Sequence, residues 1–276
     1  MKAAEKQSGF TIVETMIVLA VTGALFLLAF DAINGKQNIT EFQQGINGIE
    51  SSIKQTISEV DSGDYPDIGA FTCNGTSGTI QITPGTSTQG ANTGCIFLGK
   101  VLQFGVQDTN PQQYIAYTIA GLQANTGTLS SATPVAIAPG VTTNTAPNYP
   151  NASVASQLNY GLIVKSMYSV ASDGTKTAIG AVGFISTLGS YSGNQLVSGS
   201  QQIDLVPVIG SSINSSAPSG VDAINRYLAT STINPGDGVQ ICFASGTTNE
   251  SGLVTIGGGG GNLAVSLTIE EGSTTC

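Results

Sequence analysis

The 276-residue chain contains no histidine, and only 9% of its residues carry charge. Without imidazole, the usual general base and the commonest metal ligand are both missing, and no serine or cysteine stands in a pattern that would activate it as a nucleophile. Catalysis finds no support, and neither a metal nor an organic cofactor is expected. Zinc is disfavoured further, because Cys73, Cys95, Cys242 and Cys276 include no C-x-x-C spacing. The run Gly257 to Gly261 is not followed by Lys-Ser or Lys-Thr, so it reads as a flexible hairpin tip rather than a phosphate loop. Asp237, within Asn234-Pro235-Gly236-Asp237-Gly238, offers one acid to a calcium loop, but among turn formers it reads as a turn residue.

Basic charge is scarce. Lys and Arg number 8 against 17 Asp and Glu, for a net charge of -9. A phosphate-reading surface needs cations gathered on one face, so nucleic acid is not an expected partner. From Thr109 to Val164 there is no charge at all, and Gly121 to Gln157 is rich in Thr, Ser, Asn, Ala and Pro. That composition predicts a long, weakly packed excursion of surface loops, more a solvated insertion than an adhesive surface. Asn-x-Ser/Thr triplets at Asn38, Asn74, Asn151, Asn214 and Asn249 are too common in so Thr-rich a chain to indicate glycans.

Against this background residues 8 to 31 stand out: Ser-Gly-Phe-Thr-Ile-Val-Glu-Thr-Met-Ile-Val-Leu-Ala-Val-Thr-Gly-Ala-Leu-Phe-Leu-Leu-Ala-Phe-Asp. A helix from Phe10 to Phe30 would rise ~30 Å, enough to cross a membrane core. Glu14 lies inside it, less than one turn from the start. An ionised carboxylate at bilayer depth costs about 2.5 to 3.5 kcal/mol, so it needs a partner or a task, and the span contains no basic residue. A secretory signal peptide has a shorter apolar stretch with its cleavage site after it, not before. A plain membrane anchor accounts for the length and for Lys2 and Lys6 on the cytoplasmic side, but leaves Glu14 and the Gly9-Phe10 junction unexplained.

The arrangement resembles the amino-terminal signature of type IV prepilins and pseudopilins. The resemblance implies a leader, residues 1–9, removed by a prepilin peptidase between Gly9 and Phe10, methylation of the new Phe10 amine, and Glu14 as the fifth mature residue. It also implies that Glu14 pairs with the Phe10 amine of a neighbouring subunit during assembly. A cation and a carboxylate in an apolar medium attract far more strongly than in water. The implied partners are other pilin subunits, the peptidase, an assembly platform and, before assembly, the membrane. The implied location is the cytoplasmic membrane, single-pass with the head outside, and then an extracellular filament or a periplasmic pseudopilus. Asp31 stands where major pilins often carry a proline, and Asn34-Gly35 offers another point at which the helix loosens.

Beyond the apolar span Ile39, Phe42, Ile46, Ile49, Ile53, Ile57 and Val60 recur at gaps of three and four, the stripe of an amphipathic helix. One helix is therefore expected over residues 10–60, with 10–30 in the membrane or filament core, ended by Tyr65-Pro66. Glu50 and Lys54 stand in the favourable order for a surface pair. Residues 66–276 break into short apolar runs separated by Gly, Pro, Asn and Asp, which predicts strands. Strict alternation in Gln113 to Ile119 and Leu263 to Ile269 predicts half-buried strands with one wet face, and Val221 to Leu228 a short surface helix. The fold class expected is α+β, a long N-terminal helix packed by an antiparallel β-rich head. Val239 to Gly246, Gly252 to Gly258 and Leu263 to Leu267 are similar to the carboxy-terminal strands of H-type minor pseudopilins.

All four cysteines lie in the head, where an anchored topology favours disulfides. Three connectivities are possible. Cys73 with Cys95 and Cys242 with Cys276 is preferred, because each encloses a local loop and the second ties the last residue to a strand; such a loop contributes ~3 kcal/mol. The function expected is a structural subunit of a type IV pilus-like filament, a minor or specialised pilin. The alternative is a pseudopilin of a type II secretion system, with a solitary membrane-anchored binding protein third.

Overall fold

The structure, a computed structural model, describes residues 11–62, 71–76, 79–84, 95–105, 111–122, 135–137, 156–187, 191–192, 195–196, 202–209, 224, 237–257 and 263–271. The chain divides into two compact units, Met1–Glu41 and Phe42–Cys276.

Helix α1 runs over Ile12–Ser62, 51 residues, and its backbone is helical through Asp31 and Asn34-Gly35. Within the first unit, Ile12–Phe30 is a 19-residue span of mean hydropathy 2.3 with none of its surface buried. Leu, Ile, Val, Phe and Ala supply the span. Its few polar groups fold back on the helix: the Thr15 hydroxyl donates to the Ile12 carbonyl at 2.8 Å and the Thr22 hydroxyl to the Val18 carbonyl at 2.7 Å. Such back-bonding satisfies hydroxyls that lipid could not. At ~1.5 Å per residue, 19 residues span most of a ~30 Å hydrocarbon core.

The described residues of the second unit form fourteen strands: β1 Phe71–Thr76, β2 Thr79–Pro84, β3 Cys95–Phe104, β4 Gln113–Leu122, β5 Val135–Ile137, β6 Ser156–Gln157, β7 Leu162–Val170, β8 Lys176–Thr187, β9 Tyr191–Ser192, β10 Gln195–Leu196, β11 Gln202–Ile209, β12 Gly238–Ser245, β13 Glu250–Gly257 and β14 Val265–Glu271. Ten of them form one sheet in the order β14-β13-β12-β7-β8-β3-β4-β5, with β11 also on β8 and β6 also on β4. Every described pairing is antiparallel. This is the expected α+β class, with an antiparallel β-rich head.

The stripe on α1 fills the concave side of that sheet. Phe42, Ile46, Ile49, Ile53 and Val60 are at most 5% exposed. They share one core with Leu102, Phe104, Phe184, Ile241, Phe243 and Val254, among others. Phe104 and Phe243 meet edge to face at 5.8 Å, a geometry that favours aromatic pairs. Close approach of helix to sheet is set by missing side chains. A Cβ on Gly252 of β13 would lie 2.0 Å from Ile46 Cδ1, and one on Gly45 of α1 would lie 2.7 Å from Leu162 Cδ1.

Three expectations need correction. Gln113 to Ile119 has no wet face. Tyr117, Val101, Gly183 and Val206 stand in register across β4, β3, β8 and β11, and Ile115, Gln103, Ala181 and Val208 form the adjacent row. Their side chains turn away from α1, yet all are buried, none more than 5% exposed among those with side chains. The alternating residues on the other face, Tyr114 and Ala116, pack against the α1 core. Tyr, Ala and Thr suit an apolar layer as well as water, so alternation here separates two dry faces. In β14 the same signal holds as expected: Ser266, Thr268 and Glu270, like Ala264 just before the strand, are exposed, while Val265, Leu267 and Ile269 pack inward. Second, Gly121 to Gln157 is not wholly loop, since Val135–Ile137 and Ser156–Gln157 pair with β4. Its backbone groups find ladder partners there. Third, Ile224, the described residue of the expected surface helix, is helical but 0% exposed; the rest of Val221 to Leu228 lies outside the described residues.

Candidate functional site

The segment that sequence singles out begins just before the first described turn. Gly9 and Phe10 lie outside the described residues. Thr11 opens α1: its hydroxyl accepts the Glu14 N–H at 3.3 Å, and its carbonyl accepts the Thr15 N–H at 3.2 Å. Thr11 and Glu14 thereby occupy the two positions of a capping box, where a carboxylate also favours the positive end of the helix dipole. Glu14 is solvent-exposed and is the acid in the first turn of α1. Among the described residues the ion pairs are Lys54 with Glu50 and Lys100 with Glu59, so Glu14 has none there. Phe26 and Phe30 stack at 6.4 Å on the exposed apolar surface that follows. A first turn that holds one carboxylate beside a long bare apolar surface is suited to a contact made outside the subunit, not to chemistry within it.

In the head, the predicted cysteines are placed unevenly. The backbones of Cys73 and Cys95 lie on β1 and β3. Cys242 on β12 is 2% exposed and disulfide-bonded. Cys276 lies outside the described residues. Asp237 Oδ1 accepts the Ser172 N–H at 2.9 Å, tying the β7–β8 turn to the start of β12. Within that turn Asp173 accepts the Thr175 N–H at 2.8 Å, which holds its carboxyl below the usual aspartate range. Among the described residues no three His, Cys, Asp or Glu side chains gather as a metal site would require.

Two polar contacts escaped sequence reasoning because each joins residues distant in the chain. Lys100 on β3 reaches Glu59 on α1, and Gln55 Nε2 donates to the same carboxylate at 2.8 Å. Burial works against ionisation of Glu59. The Lys100 and Gln55 hydrogen bonds and the Lys100 charge outweigh it and hold the carboxyl below its ordinary value. In the outer layer Tyr117 Oη donates to Gln103 Oε1 at 2.8 Å, and burial pushes the phenol up to about 12. The expected surface pair is present, with Lys54 Nζ 2.7 Å from Glu50 Oε1. A cleft of about 180 Å³ opens between α1 and β3–β4, lined by Ile49, Ile53, Glu59, Phe104, Tyr114 and Ser156 among others.

Comparison with known proteins bears on the first segment. Residues 5–30 match the prokaryotic N-terminal methylation motif. No curated protein and no solved structure matches the chain, and the similarity of residues 239–267 to H-type minor pseudopilins has no counterpart among the matches. The motif implies processing by a prepilin peptidase and assembly with other pilin subunits. Its apolar helix fits the single-pass anchor of a prepilin. Glu14 in the first turn, the apolar span behind it and the matched motif together give this chain the type IV prepilin and pseudopilin signature.

Proposed function

We propose that the protein is a structural subunit of a type IV pilus-like filament, specifically a minor or specialised pilin. The observation that carries this is the methylation motif at residues 5–30 with Glu14 as the charge set into its apolar span. Mechanism is assembly rather than turnover. The leader, residues 1–9, is cut between Gly9 and Phe10; Ile12–Phe30 is held in the membrane and then in the filament core. Glu14 pairs with the Phe10 amine of a neighbouring copy and sets the register. The head, outside the cytoplasmic membrane, decorates the polymer. A head of this size would crowd a homopolymer, which favours a minor or specialised place over that of the major subunit.

Disulfides Cys73–Cys95 and Cys242–Cys276 belong to the proposal. Supporting the second, β14 ends at Glu271 two strands from β12, ~10 Å across the sheet. The five residues 272–276 reach up to ~17 Å. The main alternative is a pseudopilin that drives protein export. A gene neighbourhood holding a secretin and a secretion ATPase without retraction components would favour it.

Mass spectrometry of the native chain tests the proposal. The expected species begins at methylated Phe10 and appears in the fraction sheared from cells. A chain beginning elsewhere, or confined to the membrane, returns the protein to the plain anchor reading.

A further inference from the structure

We infer that the free edge of β14 pairs with the β5–β6 edge of a second copy of this chain, so that the sheet of one head continues into the next; the contact rests on the filament assignment above. β14 ends the sheet, and among the described residues no strand lies on its far side. Such an edge presents a row of unpaired N–H and C=O groups, which folded proteins blunt with proline, lysine, a bulge or brevity. The other edges of this sheet are blunted in those ways. β11 carries Pro207 and a register shift at Val208/Ile209, and β5 and β6 stop after three and two residues. β14 has seven residues, no proline, glycine or lysine, and an unbroken ladder with β13 from Val265 to Glu271.

Packing beneath the edge points the same way. On the face toward α1, Val239, Ile241 and Phe243 of β12 and Val254 and Ile256 of β13 are 0% exposed. One strand further out, Val265, Leu267 and Ile269 are only partly buried. An added strand would complete their burial, and removal of apolar area from water favours its addition.

Strand direction and charge select a second copy as the occupant. Each step from β14 through β13, β12, β7, β8, β3 and β4 to β5 is antiparallel, so the two ends of that path run in opposite directions. A copy set beside the first without turning over therefore brings its β5 and β6 antiparallel to β14, with the same face toward α1. Direction also rules out β14 against β14. That pairing needs a two-fold axis perpendicular to the sheet, which reverses Phe42–Ser62, packed along the sheet, in one copy relative to the other. In the proposed assembly, anchors that precede Phe42 and share one membrane hold all copies in one direction. Charge agrees: β14 ends in Glu270 and Glu271, whereas β5 and β6 belong to Thr109 to Val164, which contains no charge. A side-by-side contact of this kind is heterologous and does not close on itself, as a filament requires. Strands of two and three residues pair weakly alone, but heads gathered by their helices meet at high effective concentration.

A photoreactive phenylalanine analogue in place of Thr268, an exposed residue of β14, tests the contact in cells that make the full chain. The expected adduct runs as a dimer and maps to Val135–Ile137 or Ser156–Gln157 of the second copy. An adduct on β14 of the second copy or on another protein overturns the proposal, as does no adduct in cells whose sheared filaments contain the chain. Thr268→Lys blunts the edge and leaves the inward row intact. It is expected to keep the melting temperature and to lower the chain's yield in sheared filaments about fivefold, the scale of one or two cross-strand pairs. Thr268→Val, which favours strand, is expected to keep the yield. An unchanged yield for Thr268→Lys defeats the contact; should that variant melt early, the cross-link decides. Absence of the unsubstituted chain from sheared filaments defeats the filament assignment instead, and the contact with it.

Discussion

Tyr117 and Gln103 bond to each other inside an apolar layer, at 3% and 2% exposure. Burying either polar group alone would cost about 1 to 3 kcal/mol, whereas the pair is satisfied at 2.8 Å. Tyr117→Phe leaves the Gln103 carbonyl oxygen without its donor, and a loss of about 1 to 3 kcal/mol is expected in urea denaturation. The pH dependence follows from the same burial. A phenol raised from 10.0 to about 12 contributes stability that is fully present below pH ~10 and is lost as pH rises toward the folded value. The Phe variant should lack that alkaline loss. Neither residue was legible as half of a pair. Gln103 sits in a run of apolar residues and Tyr117 in an alternating one, and nothing local states that a hairpin brings them together.

At the scale of elements, the α1 stripe was readable because helical geometry alone places residues three and four apart on one face. Phe42, Ile46, Ile49, Ile53 and Val60 are buried as that spacing requires. Glu59 lies on the same helix beside the stripe, and its partner on β3 is 41 residues away, so no periodicity could reveal it. This ion pair gives the helix–sheet seam an acid-sensitive tie. Glu59 has its folded value below 4.5; its contribution is present above the unfolded value and is lost as pH falls through the folded one. Melting temperature followed from pH ~7 down to ~3 should therefore fall less steeply for Glu59→Gln than for the native chain. Equal slopes would show that Lys100 and Glu59 do not couple in solution, as many exposed pairs do not.

For the whole molecule, the proposed assembly step turns on one charge. Glu14 in lipid costs about 2.5 to 3.5 kcal/mol, so Glu14→Ala should leave insertion intact or improve it. In the proposed assembly, pairing with a neighbour's amine is what the substitution removes. Incorporation into filaments is expected to fall about tenfold or more, since each ~1.4 kcal/mol of lost contact is a factor of ten. Membrane fractionation and sheared-filament yield, measured side by side, separate the two effects. A normal filament yield would take Glu14 out of the assembly step.

Sequence by itself determined the signature segment, the amphipathic stripe and the strand-rich head, because each is written in local spacing: a glycine before an apolar span, gaps of three and four, short runs between turn formers. Only tertiary structure decided that the alternation in β4 separates two buried faces, that Val135–Ile137 joins the sheet, and that Tyr160 is held out in solvent on a left-handed turn. These depend on which strands lie side by side. Pairing among strands far apart in the chain is a property of the packed whole, and no window of sequence contains it.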